Sequence, residues 1–100
     1  PHVIAFALVE LLKNKEDENE IFKYAAGGFK DFTRIASSNP EMWADICMAN
    51  SSQIVKLLKE YQALNESIST LVESGDKGGL CKLFTSAQTA REKFLTLQGR

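Results

Sequence analysis

Two matched apolar stripes on either side of Gly75-Asp76 restrict the fold more than anything else in the chain. Upstream, Ile54, Leu57, Tyr61, Leu64, Ile68 and Leu71 are separated by gaps of 3, 4, 3, 4 and 3, and downstream Leu80, Leu83, Ala87, Ala90, Phe94 and Leu97 repeat that spacing. Such a pattern returns to one side of a helix every two turns and offers no in-out alternation to a strand. Gly75 suits the left-handed residue that ends a helix, and Asp76 suits the cap that opens the next. The pattern predicts a long helix from an Asn50 cap to about Glu73, a tight turn and a final helix, together an antiparallel hairpin. Gly78 and Gly79 each weaken that last helix by ~1 kcal/mol against alanine, so its first turn is expected to fray.

The same 3- and 4-residue rhythm runs through the rest of the chain. Residues 3–12 are apolar apart from Glu10, and Pro1 suits a first helical turn because its missing N–H is no loss there. A helix apolar on nearly every side has to be enclosed, by its own domain, another domain or another subunit. Residues 13–20 (KNKEDENE) read as a solvated loop, and a short helix over residues 21–26 is expected to stop at Gly27-Gly28. Helical spacing resumes over residues 29–36, with Phe29, Phe32, Ile35 and Ala36 on one side. Asn39 as N-cap, Pro40 at N1 and Glu41 at N2 predict a further helix over residues 40–49. Residues 1–100 are therefore expected to form one all-α domain, a helical bundle ending in the hairpin. Small domains often need burial beyond their own core, which favours pairing with a second copy; a closed monomeric bundle is the alternative.

Charge and cysteine usage exclude several functions. Twelve basic and thirteen acidic side chains leave a net charge of −1. Nucleic acid and anionic membranes are bound by clustered excess Lys and Arg, which argues against both as partners. The longest apolar run is too short for a bilayer, which takes ~20 residues. Cys47 and Cys81 have no CxxC spacing and His2 is the single histidine, too few ligands for structural zinc. Both thiols are expected as small core residues in a reducing, cytoplasmic setting.

One stretch has the chemistry of an anion receptor, residues 27–34 (GGFKDFTR). Two glycines allow close backbone approach, and a helix opening after them would offer free N–H groups to a carboxylate. On a continuous helix Lys30 and Arg34 stand at i and i+4, where like charges repel by a few tenths of a kcal/mol. An anionic ligand would relieve that repulsion, and the planar guanidinium of Arg34 can grip a carboxylate with two parallel hydrogen bonds. The alternative is a solvated helix carrying an Asp31–Arg34 surface pair worth ~0.3–0.5 kcal/mol. His2, at the mouth of the first helix, is either a hydrogen-bond donor to a ligand or a packed residue. Trp43 reads first as core. No Ser-His-Asp or Cys-His arrangement can be assembled around one histidine, so the chain alone has no catalytic apparatus.

PHVIAFAL at residues 1–8 and AAGGFKDFTRIASSNPEMWADI at residues 25–46 closely resemble prephenate dehydrogenase, and a less specific match continues through the hairpin. The resemblance implies the all-helical C-terminal dimerisation and substrate-binding domain of that family. Its enzymes oxidatively decarboxylate prephenate to 4-hydroxyphenylpyruvate in tyrosine biosynthesis, passing a hydride to NAD(P). An N-terminal Rossmann domain of the same polypeptide holds the cofactor and the catalytic histidine. By the same resemblance Arg34 binds a substrate carboxylate, His2 contacts prephenate or the inhibitor tyrosine, and Gly27 lends its backbone. Lys30 and Asp31 line the entrance, and Trp43 packs beside it. No GxGxxG string is present, so cofactor and catalytic group are expected outside this chain, which alone would be inactive. Arogenate dehydrogenase, or a purely structural dimerisation module, are the alternatives.

Overall fold

The computed structural model describes residues 1–13 and 26–98. Every regular element among them is helical: α1 (His2–Lys13), α2 (Ala26–Phe32), a 3₁₀ turn (Arg34–Ser37), α3 (Pro40–Ala49), α4 (Ser51–Glu73) and α5 (Lys77–Gln98). The expected all-α class therefore holds. The solvated loop after Lys13 and the short helix expected over residues 21–26 lie outside the described residues, apart from their ends. The chain divides into two compact units, residues 1–51 and 52–100, each with its own local packing.

In the first unit α1 starts as its sequence suggests, the Pro1 carbonyl accepting the first helical hydrogen bond from Ala5 N–H at 3.0 Å. The middle of α1 packs against the 3₁₀ turn, and α2 touches the same turn. Ala5, 1% exposed, is the one buried apolar side chain among the described residues, and Thr33, just before the turn, is buried beside it in rank at 9%. Val3, Ile4, Phe6, Leu8, Val9 and Leu12 are half-buried, while Leu11 is 56% exposed. A helix that is greasy on all sides is thus covered on one, as the need for an external partner anticipates.

Residues 29–36 do not form the single helix that their spacing predicts. α2 already contains the Gly27-Gly28 pair and ends at Phe32; Thr33 leaves the helical region at φ −95°, ψ 5°, and Arg34 begins a separate 3₁₀ turn. The turn closes through Ala36 N–H to Thr33 carbonyl (2.8 Å) and Ser38 N–H to Ile35 carbonyl (3.1 Å). Tightening to three residues per turn rotates Ile35 and Ala36, both half-buried, out of the register a continuous helix would give them.

α3 follows its start signal closely. Asn39 Oδ1 accepts a hydrogen bond from Met42 N–H at 3.0 Å, with Pro40 at the first helical position and Glu41 in the first turn. Asn50 acts differently from expectation. Its backbone N–H (3.1 Å) and its side-chain Nδ2 (2.9 Å) both donate to the Ile46 carbonyl, so it closes α3 rather than opening α4.

The second unit holds the two expected helices joined at Ser74-Gly75-Asp76, without the expected packing of one stripe on the other along their length. Gly75 has φ +70°, and two crossing bonds seal α4: Asp76 N–H to Leu71 carbonyl (2.9 Å) and Gly75 N–H to Val72 carbonyl (3.1 Å). These are the 6→1 and 5→2 bonds of a Schellman motif. Asp76 then caps α5, its Oδ1 accepting from Gly79 N–H at 2.8 Å and its carbonyl from Leu80 N–H at 3.1 Å. The first turn of α5 is pinned by these bonds instead of frayed. A Cβ on Gly79 would lie 2.7 Å from Asp76 Oδ2 and 2.8 Å from Leu71 Cδ2, so that glycine admits both the cap and the leucine. Burial in the stripes is concentrated beside the turn. Ile68, Leu71, Leu80 and Leu83 are half-buried, whereas Leu64, Phe94 and Leu97 are 46%, 56% and 61% exposed.

Candidate functional site

The polar residues singled out in the sequence all lie in the first unit, on three neighbouring pieces of backbone. Gly27, Lys30 and Asp31 belong to α2, Arg34 opens the 3₁₀ turn, and His2 and Trp43 sit near the starts of α1 and α3. The turn that Arg34 opens packs on α1, and α2 touches that turn.

His2 and Trp43 are in direct contact. Their ring centroids are 3.7 Å apart with planes inclined by 14°, a face-to-face stack, and both side chains are half-buried. Trp43 is therefore a surface-lining aromatic rather than a core residue. Trp43 also lines, with Val3, Phe6, Pro40, Ala44 and Cys47, a small apolar cavity of about 260 Å³ between α1 and α3. Cys47 is half-buried there, but Cys81 on α5 is exposed, against the expectation that both thiols are core.

The cationic cluster differs in detail from its sequence reading. Because α2 stops before Arg34, Lys30 and Arg34 do not share one helix face, and the expected i,i+4 arrangement is lost. The glycine pair lies inside α2 instead of ahead of it, so free N–H groups do not follow the glycines as supposed. Gly28 has nothing within 4 Å of the place a Cβ would occupy, which leaves its backbone open to approach. Lys30, Asp31 and Arg34 are all exposed. The surface pair between Asp31 and Arg34 is not formed; the ion pair found among the described residues joins Glu10 and Lys13 at 3.0 Å, both well exposed. Arg34 is thus left with its whole hydrogen-bonding fork available among the described residues. A guanidinium with its planar fork unspent has the donors to grip a carboxylate with two parallel hydrogen bonds.

Thr33 went unnoticed in the sequence. It is buried at the point where the chain leaves α2, directly before the turn that Arg34 opens. A β-branched residue in mid-helix is a weak local signal for such a break, and the packing on α1 that uses it is tertiary. No group of three or more His, Cys, Asp or Glu converges as a metal site among the described residues, and no described helix is long and apolar enough to cross a membrane.

Every described regular element is a helix, and much of the apolar surface of these helices is uncovered, which is the character of an all-helical domain. The chain belongs to the family described as prephenate dehydrogenase, dimerization domain, whose model matches residues 1–86. It is 39% identical over 93 residues to a prephenate dehydrogenase of Bacillus subtilis (strain 168), a match covering 92% of this chain and 25% of that protein. It is 34% identical over 93 residues to a cyclohexadienyl dehydrogenase of Zymomonas mobilis, covering 91% of this chain and 32% of that protein. A prephenate dehydrogenase of Lactococcus lactis is 26% identical over 93 residues, covering 92% of this chain and 26% of that protein. The chain spans about a quarter to a third of the length of the curated relatives it matches.

Proposed function

We propose that this chain is the C-terminal helical domain of a cytoplasmic prephenate dehydrogenase, which converts prephenate to 4-hydroxyphenylpyruvate with NAD(P) in tyrosine biosynthesis. Residues 1–100 act in it as one domain with two tasks: they make the homodimer and they close the substrate pocket. Arg34 binds a carboxylate of prephenate, His2 donates a ring N–H to the substrate or to inhibitory tyrosine, and Gly27 lends backbone to the same ligand. Lys30 and Asp31 form the ionic lining of the entrance, and Trp43 packs beside it.

The observation that carries this reading is the exposed, unpaired guanidinium of Arg34 on a turn packed against the helix that bears His2. Prephenate is a dicarboxylate, and such a fork has no internal partner to satisfy it. The homodimer is supported by the family's description and by the exposed stripe residues of α4 and α5. It is supported too by an open groove of about 630 Å³ lined by Lys77, Leu80, Cys81, Phe84, Thr85 and Gln88, all from α5. The nicotinamide cofactor does not fit these residues: there is no GxGxxG string, and the described residues form no strand from which a phosphate-binding turn could start. It belongs with the Rossmann domain of the same polypeptide, together with the catalytic histidine.

The test is the steady-state kinetics of the whole dehydrogenase carrying Arg34→Ala. Loss of a charge-assisted bidentate bond of roughly 1.5–3 kcal/mol predicts a KM for prephenate raised by about ten- to a hundredfold. An unchanged KM would reject the role of Arg34. A second reading, that arogenate is the substrate, is favoured by the relative named cyclohexadienyl dehydrogenase. Comparing kcat/KM for prephenate and arogenate separates the two.

A further inference from the structure

The His2–Trp43 stack leaves one side chain with an unusual combination of constraint and freedom. The imidazole face is covered by the indole at 3.7 Å, while neither ring nitrogen of His2 has a hydrogen-bond partner among the described residues. A packed histidine ordinarily has one nitrogen tied to a carbonyl or carboxylate, and that bond sets its tautomer and its ring plane. Here the plane is set by a face and the nitrogens are left unspent. Rotation about the Cβ–Cγ bond would tip the imidazole out of the 14° stack, so the contact confines both N–H positions to one plane. The tautomer stays free to follow whatever the ligand offers.

Backbone alone would not hold the ring this way. His2 is the first residue of α1, where only the Pro1 carbonyl precedes it in the helical ladder, and first turns fray most easily. Trp43 comes from the opening turn of α3, which Asn39 caps, with Asn50 closing the helix at its other end. The indole also lines the small apolar cavity between α1 and α3, together with Val3, Phe6 and Cys47. A side chain at the start of one helix is thus stacked on one from the capped opening turn of another.

We infer that Trp43 is a positioning residue: by stacking on His2 it holds the imidazole in the plane where its free nitrogens meet the ligand. This deepens the role proposed for His2 and rests on it. Trp43 itself need not touch the ligand. Its contribution passes through His2, as pre-organisation that lowers the cost of ordering the ring on binding.

The experiment is a double-mutant cycle in the whole dehydrogenase, reading KM for prephenate, the inhibition constant for tyrosine and kcat. Trp43→Leu should raise KM and the inhibition constant by roughly two- to tenfold, the range of an aromatic pair, with kcat little changed. Trp43→Phe, which keeps a ring face, should recover most of that loss. His2→Phe keeps the stack without the nitrogens and should weaken binding at least as much as Trp43→Leu; in that background Trp43→Leu should add nothing further. Should Trp43→Leu fail to fold, Trp43→Met, which also removes the ring face, paired with His2→Phe completes the same cycle. Independent, additive effects of the two positions, or full affinity in Trp43→Leu, would overturn the inference while leaving the role of His2 standing. Full affinity in His2→Phe would instead remove the role of His2 on which the inference rests.

Discussion

Adjacent glycines at the start of α5 should respond to the same substitution with opposite signs. At Gly78 a Cβ would meet nothing closer than Asp76 Oδ1 at 3.8 Å, an ordinary contact. Gly78→Ala therefore gains the helix preference of alanine, roughly 0.5–1 kcal/mol, with no steric cost. At Gly79 the added carbon would stand 2.7 Å from Asp76 Oδ2, 2.9 Å from Asp76 Cγ and 2.8 Å from Leu71 Cδ2. Leu71 can swing its terminal methyl, but the carboxylate can retreat only by giving up the 2.8 Å hydrogen bond from Gly79 N–H. Losing that N-cap costs about 1 kcal/mol within a range of ~0.5–2, and crowding a packed leucine adds roughly 1 more. Set against the propensity gain, Gly79→Ala should be net destabilising by about 1 kcal/mol. At roughly 4–8 °C per kcal/mol for a domain of this size, the two variants should differ in Tm by about 6–16 °C. Thermal unfolding followed by far-ultraviolet circular dichroism, at one fixed protein concentration, reads this directly. Shifts of the same sign and size at both positions would refute the claim that the cap and Leu71 occupy the space a side chain would need.

Three further outcomes follow from the same contacts. Asn39→Ala removes the acceptor of the Met42 N–H bond and should lower stability by about 1 kcal/mol, with Asn39→Asp close to wild type, measured by urea denaturation. Ala5→Leu forces three extra carbons into the most buried position of α1 and should cost about 1–3 kcal/mol in the same assay. Phe94→Asp places a charge on an exposed stripe position of α5; if that stripe pairs across the homodimer, sedimentation should show a clearly weakened dimer with helicity retained.

Local signals in this chain were legible wherever one residue's chemistry was enough. Asn39-Pro40 announced α3 because the cap is made three residues away, and Gly75-Asp76 announced the hairpin turn because its bonds span five residues. Ambiguity entered where one residue can do two jobs. Asn50 has the composition of an N-cap, yet its amide donates backwards to Ile46. Gly78 and Gly79 are equivalent by propensity, and only the neighbouring Leu71 and Asp76 distinguish them. The break at Thr33 was invisible because helical spacing runs straight through it; packing of the following turn on α1, not local preference, decides the matter. In the site, the residue types were readable and their grouping was not. His2 and Trp43 are 41 positions apart, and nothing in a periodic pattern brings their rings together. The spacing argument for Arg34 does not hold: it stands on a turn instead of sharing a helix face with Lys30.

A crystal structure of the whole dehydrogenase with tyrosine bound would reach the centre of the account most directly. The Arg34 guanidinium should lie about 2.7–2.9 Å from the ligand's carboxylate oxygens, beside the stacked His2. A carboxylate held elsewhere, with Arg34 turned into bulk water, would contradict it.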